Sequence, residues 1–357
     1  MTILCLICLA ALVVCLEKRW ARASLTRLSC HGGCDASLVE PKTTVTWSAT
    51  VENHSSLPAL YVRLTQTFPK EAVPEYEKES SHMTQGRLKT HAYVEKSFFL
   101  SGRSSYTCRL TFHLPARGRY LFGERTLYSG DLLGFRETSR VEELEQRIVV
   151  MPARTQDPRS LQVLGGFLGD ISVRRFLMED PILITGFRDY TGREPMKDVS
   201  WTRTAVSGRM QVKQYDHTTE QTVMVLLNME GGQAEDLEQC FRITRTVCEE
   251  MEDRGIPYAF RTNGDVKGPV GQLAWLSEGL GRQHLHTLLY GLGQAGYTCF
   301  FSLEYLVKQT LRQIKRGQSY LLITPPVKSS GQGVLDELRR ISGMPVCVLT
   351  GRGEEIS

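Results

Sequence analysis

The sequence predicts a multidomain protein in which an antiparallel β-sandwich is followed by a doubly wound α/β domain. Within residues 38–152, short runs with a hydrophobic period of two are separated by Gly, Pro and Ser. In the domain predicted from residue 153, apolar strand-like runs alternate with amphipathic helical patterns, most clearly from residue 221 onward. The run 222–227 is almost continuously apolar, as expected of a central parallel strand that is covered on both faces. The length of 357 residues is sufficient for both domains.

Alternation along single strands predicts the β-sandwich. The stretch 44–51 places Val45, Trp47, Ala49 and Val51 on one face, which is the face expected to enter a core. Further strand-like runs occur at 60–64, 93–100, 106–114, 120–127 and 146–151, with no helical-period segment between them. This pattern is typical of an antiparallel sandwich. The polar segment 70–85 is interpreted as a long solvated connection, with a binding edge as the alternative.

In the second domain, the segment 234–254 predicts an amphipathic helix that ends at Gly255. Apolar side chains recur there at helical spacing: Leu237, Cys240, Phe241, Val247, Cys248 and Met251. Further helices are predicted at 281–296, 303–317 and 333–342, and further strands at 256–261, 320–323 and 345–349. This alternation predicts a sheet with helices on both faces.

An apolar segment at the N-terminus predicts attachment to a membrane. Residues 1–16 carry no charged side chain, and a basic linker over 17–37 follows them. Basic residues directly after an apolar span predict that this side faces the cytoplasm. A helix of this length spans about 24 Å, which is less than the roughly 30 Å of a hydrocarbon core. The segment is therefore interpreted as a single-pass anchor or as half of a helical hairpin, with a buried core helix as the alternative.

The composition argues against several functional classes. The formal net charge is only +4, and no extended basic stripe with interleaved aromatic residues occurs, so nucleic-acid binding is not expected. The ten cysteines lie mostly in apolar, core-like runs, which favours reduced thiols over a disulfide framework. No nucleophile with an adjacent histidine and no phosphate-binding Gly-x-x-x-x-Gly-Lys run is present. The sequence therefore predicts a protein that is not an enzyme.

The stretch 186–212 contains the most informative motif of the chain. It begins Gly186-Phe187-Arg188-Asp189-Tyr190-Thr191-Gly192-Arg193-Glu194-Pro195-Met196-Lys197-Asp198-Val199-Ser200-Trp201. Upstream of it stand Arg117-Gly118-Arg119-Tyr120 and Gly130-Asp131-Leu132-Leu133-Gly134-Phe135. Together these elements resemble the signature of the bacterial family called domain of unknown function 58, over about residues 19–350. Two positions depart from the family pattern: Arg193-Glu194 stands where Gly-Asp is usual, and Val206 replaces an arginine.

The resemblance implies a von Willebrand factor A-like fold over 153–357, tethered to the membrane by N-terminal helices. It also implies a link to AAA+ ATPases of the MoxR group, and it implies no catalytic activity. The chain is therefore expected to be a membrane-anchored scaffold or adaptor, largely facing the cytoplasm, that docks a MoxR-like ATPase or another cell-envelope partner. An exported metal-dependent adhesion module is the alternative, and a hydrolase using acidic residues near Glu194 is the least favoured interpretation.

Seven residues of the motif are the candidate partner-binding or structural positions: Arg188, Asp189, Tyr190, Glu194, Lys197, Asp198 and Trp201. They are interpreted as a charged turn in which Trp201 is buried as a hydrophobic anchor. A catalytic role is disfavoured, because these residues lack a partnered nucleophile.

The resemblance further implies a position for a metal ion, since von Willebrand factor A domains can bind Mg²⁺ through an Asp-x-Ser-x-Ser motif after their first strand. The corresponding residues here are Asn228, Glu230 and Gly232. Asn228 offers only a neutral carbonyl oxygen, and Gly232 has no side-chain ligand, whereas Mg²⁺ prefers charged and hard oxygen ligands. No resident cofactor is therefore expected, with residual Mg²⁺ binding at Glu230 as the alternative.

Overall fold

The computed structural model describes residues 25–74, 83–85, 91–130, 137–144, 146–177, 180–192, 194–216, 222–268, 271–272, 275–313, 318–326, 332–343 and 346–351. The chain divides into two compact units, Met1–Ala153 and Arg154–Ser357. Several sheets and some helices make up these units, which confirms the predicted multidomain, β-rich character. The predicted anchor at 1–16 and residues 17–24 of the predicted linker lie outside the described residues.

The first unit is built from strands. These are β1 Leu28–Cys34, β2 Leu38–Val39, β3 Thr44–Asn53, β4 Ala59–Pro69, β5 Val73–Pro74, β6 Met83–Gln85, β7 His91–Leu100, β8 Ser105–His113, β9 Gly118–Phe122, β10 Arg125–Gly130, β11 Glu137–Glu142 and β12 Gln146–Val150. They form three sheets with the orders β1-β3-β8-β5, β11-β10-β4-β7-β6 and β2-β12-β9. Among the described pairs only β2 and β12 are parallel; the others are antiparallel.

One hydrophobic core serves the sheets of the first unit. The predicted inward face of β3 is confirmed, because Val45, Trp47, Ala49 and Val51 are each at most 1% exposed. The Trp47 ring meets the edge of Phe68 on β4, with ring centroids 5.3 Å apart. Edge-to-face pairs of this kind stabilise a core beyond the effect of area burial alone.

Parts of the first unit differ from the sequence prediction. Strand β1 lies inside the predicted linker 17–37, where it pairs with β3 along its whole length. Its sequence is rich in small and polar residues, so its strand character comes from pairing rather than from hydrophobic alternation. The predicted connection 70–85 contains the short strands β5 and β6. The single run predicted at 120–127 is divided between β9 and β10.

The second unit mixes helices and strands. Its elements are α1 Pro158–Leu177, β13 Asp180–Asp189, a 3-10 turn Met196–Asp198, α2 Trp201–Ser207, β14 Gln211–Asp216, β15 Val223–Leu227, α3 Ala234–Asp253, β16 Tyr258–Thr262, β17 Lys267–Gly268, β18 Gly271–Gln272, β19 Trp275–Gly279, α4 Arg282–Gln294, α5 Leu303–Leu311, β20 Ser319–Thr324, α6 Gln332–Ser342 and β21 Val346–Thr350. None of the helices in the described part of the chain is both long and apolar enough to cross a membrane.

The main sheet of this unit has the strand order β19-β16-β15-β20-β21. The last four are parallel, and β19 is an antiparallel edge strand. Alternate residues of β15 enter two separate cores. Val223, Val225 and Leu227 join a core that includes residues of α1, α3 and α4, whereas Met224 and Leu226 join a core with α5 and α6. Helices therefore cover both faces of the sheet.

The order of connections creates a reversal point beside β15. The chain passes from β15 through α3 to β16 on one side, and later reaches β20 on the other side. In open α/β sheets, ligands bind outside the carboxyl ends of the strands at such a point. Asn228 follows β15 directly, so this edge is where a metal or ligand would be sought.

Candidate functional site

A row of three polar side chains crosses the carboxyl edge of the sheet. The register pairs Leu227 of β15 with Thr262 of β16 and with Ile323 of β20. The next position on each strand therefore holds Asn263, Asn228 and Thr324, which are all buried. Asn263 Nδ2 donates to Asn228 Oδ1 at 2.7 Å, and Asn228 Nδ2 donates to Thr324 Oγ1 at 2.9 Å. We call these three side chains the amide row.

The amide row also holds the backbone of the neighbouring loops. Asn263 Oδ1 accepts from the Met229 N–H at 2.8 Å, and Asn263 Nδ2 donates to the Phe301 carbonyl at 2.9 Å. Asn228 Oδ1 accepts from the Glu230 N–H at 3.1 Å. Buried polar groups are costly unless they are paired, and here each amide uses several of its hydrogen-bonding positions. The row therefore ties three loops together at the edge where a ligand would be sought.

The remaining positions of the predicted metal motif are also occupied by internal contacts. Glu230 Oε2 accepts from the Leu303 N–H at 2.6 Å, so this carboxylate lies at the N-terminal end of α5. A carboxylate is favoured there by the unpaired N–H groups and the helix dipole. At Gly232, a Cβ atom would lie 2.7 Å from Pro325 Cγ and 2.8 Å from Leu237 Cδ2. A serine would therefore not fit at this position without displacing its neighbours.

At this edge of the sheet, the polar side chains form hydrogen bonds with one another and with the backbone of the neighbouring loops. Only Glu230 offers a carboxylate at the positions of the motif, and one of its oxygens is already engaged. Among the described residues, no cluster of three or more His, Cys, Asp or Glu side chains is arranged to hold a metal ion. Mg²⁺ usually takes its protein ligands from carboxylates and retains several waters. The donor set at this edge does not fit that ion.

The seven motif residues lie on and around a hairpin formed by β13 and β14. The two strands pair antiparallel, from Asp180 with Asp216 to Asp189 with Gln211. The segment that joins them, 190–210, contains the 3-10 turn and α2, with Arg193 outside the described residues. We call this segment the hairpin insert.

Glu194 orders the start of the hairpin insert. Its Oε1 accepts from Arg188 Nη1 at 2.6 Å and from the Thr191 hydroxyl at 2.6 Å, and its Oε2 accepts from the Thr191 N–H at 3.0 Å. The hydrogen bond from the Thr191 hydroxyl, together with that from Arg188, lowers the pKa of the Glu194 carboxyl to about 2. The carboxylate is thus held ionised and stabilises the turn by accepting these hydrogen bonds. It is poorly suited to act as a proton donor.

This arrangement predicts a pH dependence for the turn. The folded pKa of Glu194 is about 2 and lies below the ordinary value of 4.5, so its stabilising contribution is present above pH 4.5 and is lost as the pH falls toward 2. We expect exchange protection of the Thr191 amide, corrected for the intrinsic rate, to decline across that range. Glu194→Gln should weaken protection above about pH 4.5 and should remove most of its pH dependence, and Glu235→Gln, on α3, serves as the control. Protection in Glu194→Gln equal to that of the unchanged chain would contradict this role.

Of the other motif residues, Asp189 and Tyr190 form contacts across the hairpin, whereas Lys197 and Asp198 do not form ion pairs with described residues. Asp189 Oδ1 accepts from Gln211 Nε2 across the strand pair, and the Tyr190 N–H donates to the Met210 carbonyl at 2.9 Å. Lys197 and Asp198 lie in the 3-10 turn, where neither side chain forms an ion pair with another described residue. The motif therefore forms a turn built on Arg188 and Glu194, and not one joint cluster of acid, base and nucleophile.

The prediction that Trp201 is buried is wrong. The Trp201 side chain is 60% exposed at the first position of α2, a helix of seven residues with no buried member. A helix this short has no stability of its own, and α2 is instead held by polar contacts. Thr204 Oγ1 accepts from the Gln211 N–H at 3.0 Å, and the Arg203 guanidinium lies 5.0 Å from the centre of the Phe187 ring. These contacts fix α2 without using the indole.

Several apolar side chains of the hairpin insert are exposed. Met196 is 53% exposed and Val206 is 80% exposed, in addition to Trp201. We call Met196, Trp201 and Val206 the insert surface. Scattered exposed apolar residues are normal in proteins, but here they are concentrated in one short segment whose polar residues provide the internal contacts.

Sequence reasoning missed two partners of the amide row, Asn263 and Thr324. Each stands at the carboxyl end of a predicted parallel strand, in the position that Asn228 has after β15. That shared position was a usable signal, because the carboxyl ends of parallel strands meet at one edge of a sheet. The strand register that brings them within bonding distance is set by tertiary pairing.

No protein-family model matches the chain, and no significant match is found among curated proteins. The similarities to solved structures are weak. AvmM, which catalyses macrocyclization in alchivemycin A biosynthesis, is 7% identical over 36% of this chain and 91% of its own, with a TM-score of 0.26. The sporulation control protein Spo0M of Bacillus subtilis is 12% identical over 46% of this chain and 58% of its own, with a TM-score of 0.19. A type II cohesin domain from the cellulosome of Acetivibrio cellulolyticus is 9% identical over 34% of this chain and 94% of its own, with a TM-score of 0.24.

Proposed function

We propose that the chain is a non-enzymatic, membrane-anchored scaffold or adaptor that docks its partner through the insert surface. In this proposal the first unit is an antiparallel β-sandwich and the second is a von Willebrand factor A-like domain of the domain of unknown function 58 family. The apolar segment 1–16 is the anchor, and most of the chain faces the cytoplasm. The partner is a MoxR-like AAA+ ATPase or another protein of the cell envelope.

The observation that supports docking most directly is the exposure of Trp201 and Val206 on a segment that is otherwise tightly bonded. Tryptophan is enriched among the residues that dominate binding energy at protein interfaces. A pre-ordered segment also loses little conformational entropy when a partner binds to it. The polar contacts of Glu194 and Thr204 supply that order, and the exposed side chains supply the area to be buried.

Two features favour a scaffold over the competing functions. The Glu194 carboxylate is held ionised by Thr191 and Arg188, which leaves a hydrolase without its most obvious acid. The amide row and Gly232 close the edge of the sheet that a metal-dependent adhesion module would use. Recognition through a protein surface requires neither an ion nor a reactive group.

Recovery of the partner from native membranes tests this proposal. The full chain carrying an affinity tag should retain an AAA+ ATPase, identified by mass spectrometry. Trp201→Ala should lower its recovery about tenfold or more, as expected when a central interface residue is lost, and Val206→Glu should lower it several-fold. Trp275→Ala is the matched control, because Trp275 is an exposed tryptophan of the same unit, outside the hairpin insert. If each of the three variants retained as much of the ATPase as the unchanged chain does, the assignment of the insert surface would be overturned.

A further inference from the structure

A cavity of about 340 Å³ opens on the side of the main sheet that also carries α5 and α6. Its apolar lining includes Met224 of β15 and Ala259 of β16, which are paired neighbours in the sheet. Polar residues of its lining include Arg261, Gln313 and Gln318. A small-molecule site commonly has this size and this combination of an apolar base with a few polar groups.

Arg261 carries the positive charge of the cavity. Its Nη1 donates to the Gln309 carbonyl at 3.2 Å, and its Nη2 donates to Gln313 Oε1. Both acceptors are neutral, and no carboxylate of the described residues lies within ion-pair distance of this guanidinium. Partial burial lowers the pKa of Arg261, so its charge is incompletely solvated. A guanidinium in this state is a strong binding group for a carboxylate.

Trp275 places an aromatic face beside that charge. It lies directly opposite Arg261 in the antiparallel pair of β16 and β19, and the guanidinium lies 6.0 Å from the centre of its ring. The indole is 66% exposed, although it belongs to a strand of the main sheet. It therefore offers a free surface on which a planar ring can stack, as aromatic rings do in offset or edge-on geometry.

The remaining lining contains one carboxylate, that of Glu278, and is otherwise apolar or neutral. Leu276 packs against the core on the opposite face of the sheet. Glu278 also lines the cavity, but its carboxylate is not within ion-pair distance of the Arg261 guanidinium. The Gln318 side chain is buried, and among the described residues its Oε1 receives one long contact, of 3.5 Å, from the Tyr320 hydroxyl. Its amide can therefore form a hydrogen bond to a polar group in the cavity.

We propose that this cavity binds a small planar aromatic carboxylate, with the carboxylate on Arg261 and the ring on Trp275. This inference goes beyond the docking function, because none of the cavity residues belongs to the hairpin insert. Failure of either proposal leaves the other intact.

Ligand-observed fluorine NMR with the full chain tests the inference. The probes are 6-fluoro-2-naphthoate and its neutral amide, which share a ring system and differ in charge. We expect saturable binding of the acid with a Kd of about 1 mM or tighter, as the size of the probe allows. The amide should bind about tenfold more weakly, because it cannot form the charge-assisted pair.

Four variants locate the binding site. Arg261→Gln should weaken binding of the acid about tenfold and remove the preference for the acid over the amide. Trp275→Ala should weaken binding of both probes several-fold through loss of stacking. Arg254→Gln and Trp201→Ala are the matched controls, since each removes the same residue type elsewhere in the same unit, and both should leave binding unchanged.

Three results would overturn the inference: no saturable binding of the acid at about 5 mM, equal binding of acid and amide, or unchanged binding in Trp275→Ala. Thermal unfolding of each variant shows whether it is folded. Should Arg261→Gln fail to fold, the comparison of acid with amide and the Trp275→Ala variant still decide the question. Non-specific partitioning of the probe is common to all variants and cancels in their comparison.

Discussion

Replacing Asn263 with alanine is expected to lower the free energy of unfolding of the second unit by about 3 kcal/mol or more. Asn263 is fully buried and bonds to Asn228, to the Met229 N–H and to the Phe301 carbonyl. The alanine leaves the buried Met229 N–H without its acceptor, which costs about 1–3 kcal/mol. It also removes one of the two hydrogen bonds that Asn228 Oδ1 and the Phe301 carbonyl each accept, at about 0.5–1.5 kcal/mol each. Hydrogen exchange of the β15 amides in increasing urea measures the change in this unit separately.

The matched control for Asn263→Ala is Thr287→Ala. The Thr287 hydroxyl also donates a hydrogen bond, to the Gln283 carbonyl, but it is exposed on α4. Its loss should change the free energy of unfolding by no more than about 0.5 kcal/mol, as is usual at such surface positions. If Asn263→Ala were equally mild, the amide row would not be what holds the loops at the carboxyl edge of the sheet.

Restoring metal-type residues is expected to damage the fold without creating a Mg²⁺ site. In Asn228→Asp/Gly232→Ser, the new serine Cβ would lie 2.7 Å from Pro325 Cγ. Such overpacking typically costs about 1–3 kcal/mol. The new aspartate would lose the hydrogen bond that Asn228 donates to Thr324. Both effects lower the thermal unfolding temperature of the second unit.

Thermal unfolding with and without Mg²⁺ checks this expectation. A functional site would raise the free energy of unfolding by about 2.7 kcal/mol at a concentration one hundred times its Kd. We expect no stabilisation by millimolar Mg²⁺ beyond that produced by the same ionic strength of NaCl, in either the unchanged chain or the double variant. Stabilisation of the double variant alone would show that the edge remains open enough to accept an ion after two substitutions.

The strongest sequence patterns correctly predicted the elements that build the main sheet. All five residues of β15 are buried, as the apolar run 222–227 predicts. The helix predicted at 234–254 is observed at Ala234–Asp253, and Gly255 has a φ of 63°, which favours glycine at the end of a helix. These elements are specified by local periodicity, which is the part of the fold that a single sequence expresses most clearly.

Elements that depend on tertiary pairing were not predicted. Helix α1 includes Gly165, Gly166 and Gly169, which lower helix propensity, yet Leu168 and Ile171 pack into the core. The edge strand β19 is only five residues long and has one exposed face, so its pattern is weak. In both cases packing against distant parts of the chain outweighs local preference.

The same distinction applies to the candidate site: contacts between residues close in sequence were predictable, and contacts that depend on tertiary pairing were not. Glu194 and Arg188 are six positions apart, and their charges made an ionic turn predictable. The exposure of Trp201 was not predictable, since burial of an indole depends on which other element covers it. Asn228 and Thr324 are 96 positions apart, so their hydrogen bond depends on the register of β15 with β20. The closure of the carboxyl edge therefore emerges only from the folded sheet.

The amide row and the insert surface have different roles in this account. The amide row holds the carboxyl edge of the sheet together, and the insert surface binds the partner. At the carboxyl edge, Asn228, Asn263 and Thr324 satisfy one another and leave little for a ligand. On the hairpin insert, Trp201 and Val206 are exposed while polar contacts hold the backbone. The proposed scaffold thus combines an α/β sheet whose carboxyl edge is closed with recognition through the hairpin insert.

Site-specific photo-crosslinking in native membranes tests this division most directly. The crosslinker p-benzoylphenylalanine is introduced in the full chain either at Val206, on the insert surface, or at Glu230, at the carboxyl edge. Both positions are exposed. Because the change at Glu230 removes its hydrogen bond from the Leu303 N–H, thermal unfolding of that variant is measured to show that it is folded. We expect an AAA+ ATPase adduct from position 206 and none from position 230. An adduct from position 230 alone would contradict recognition through the insert surface.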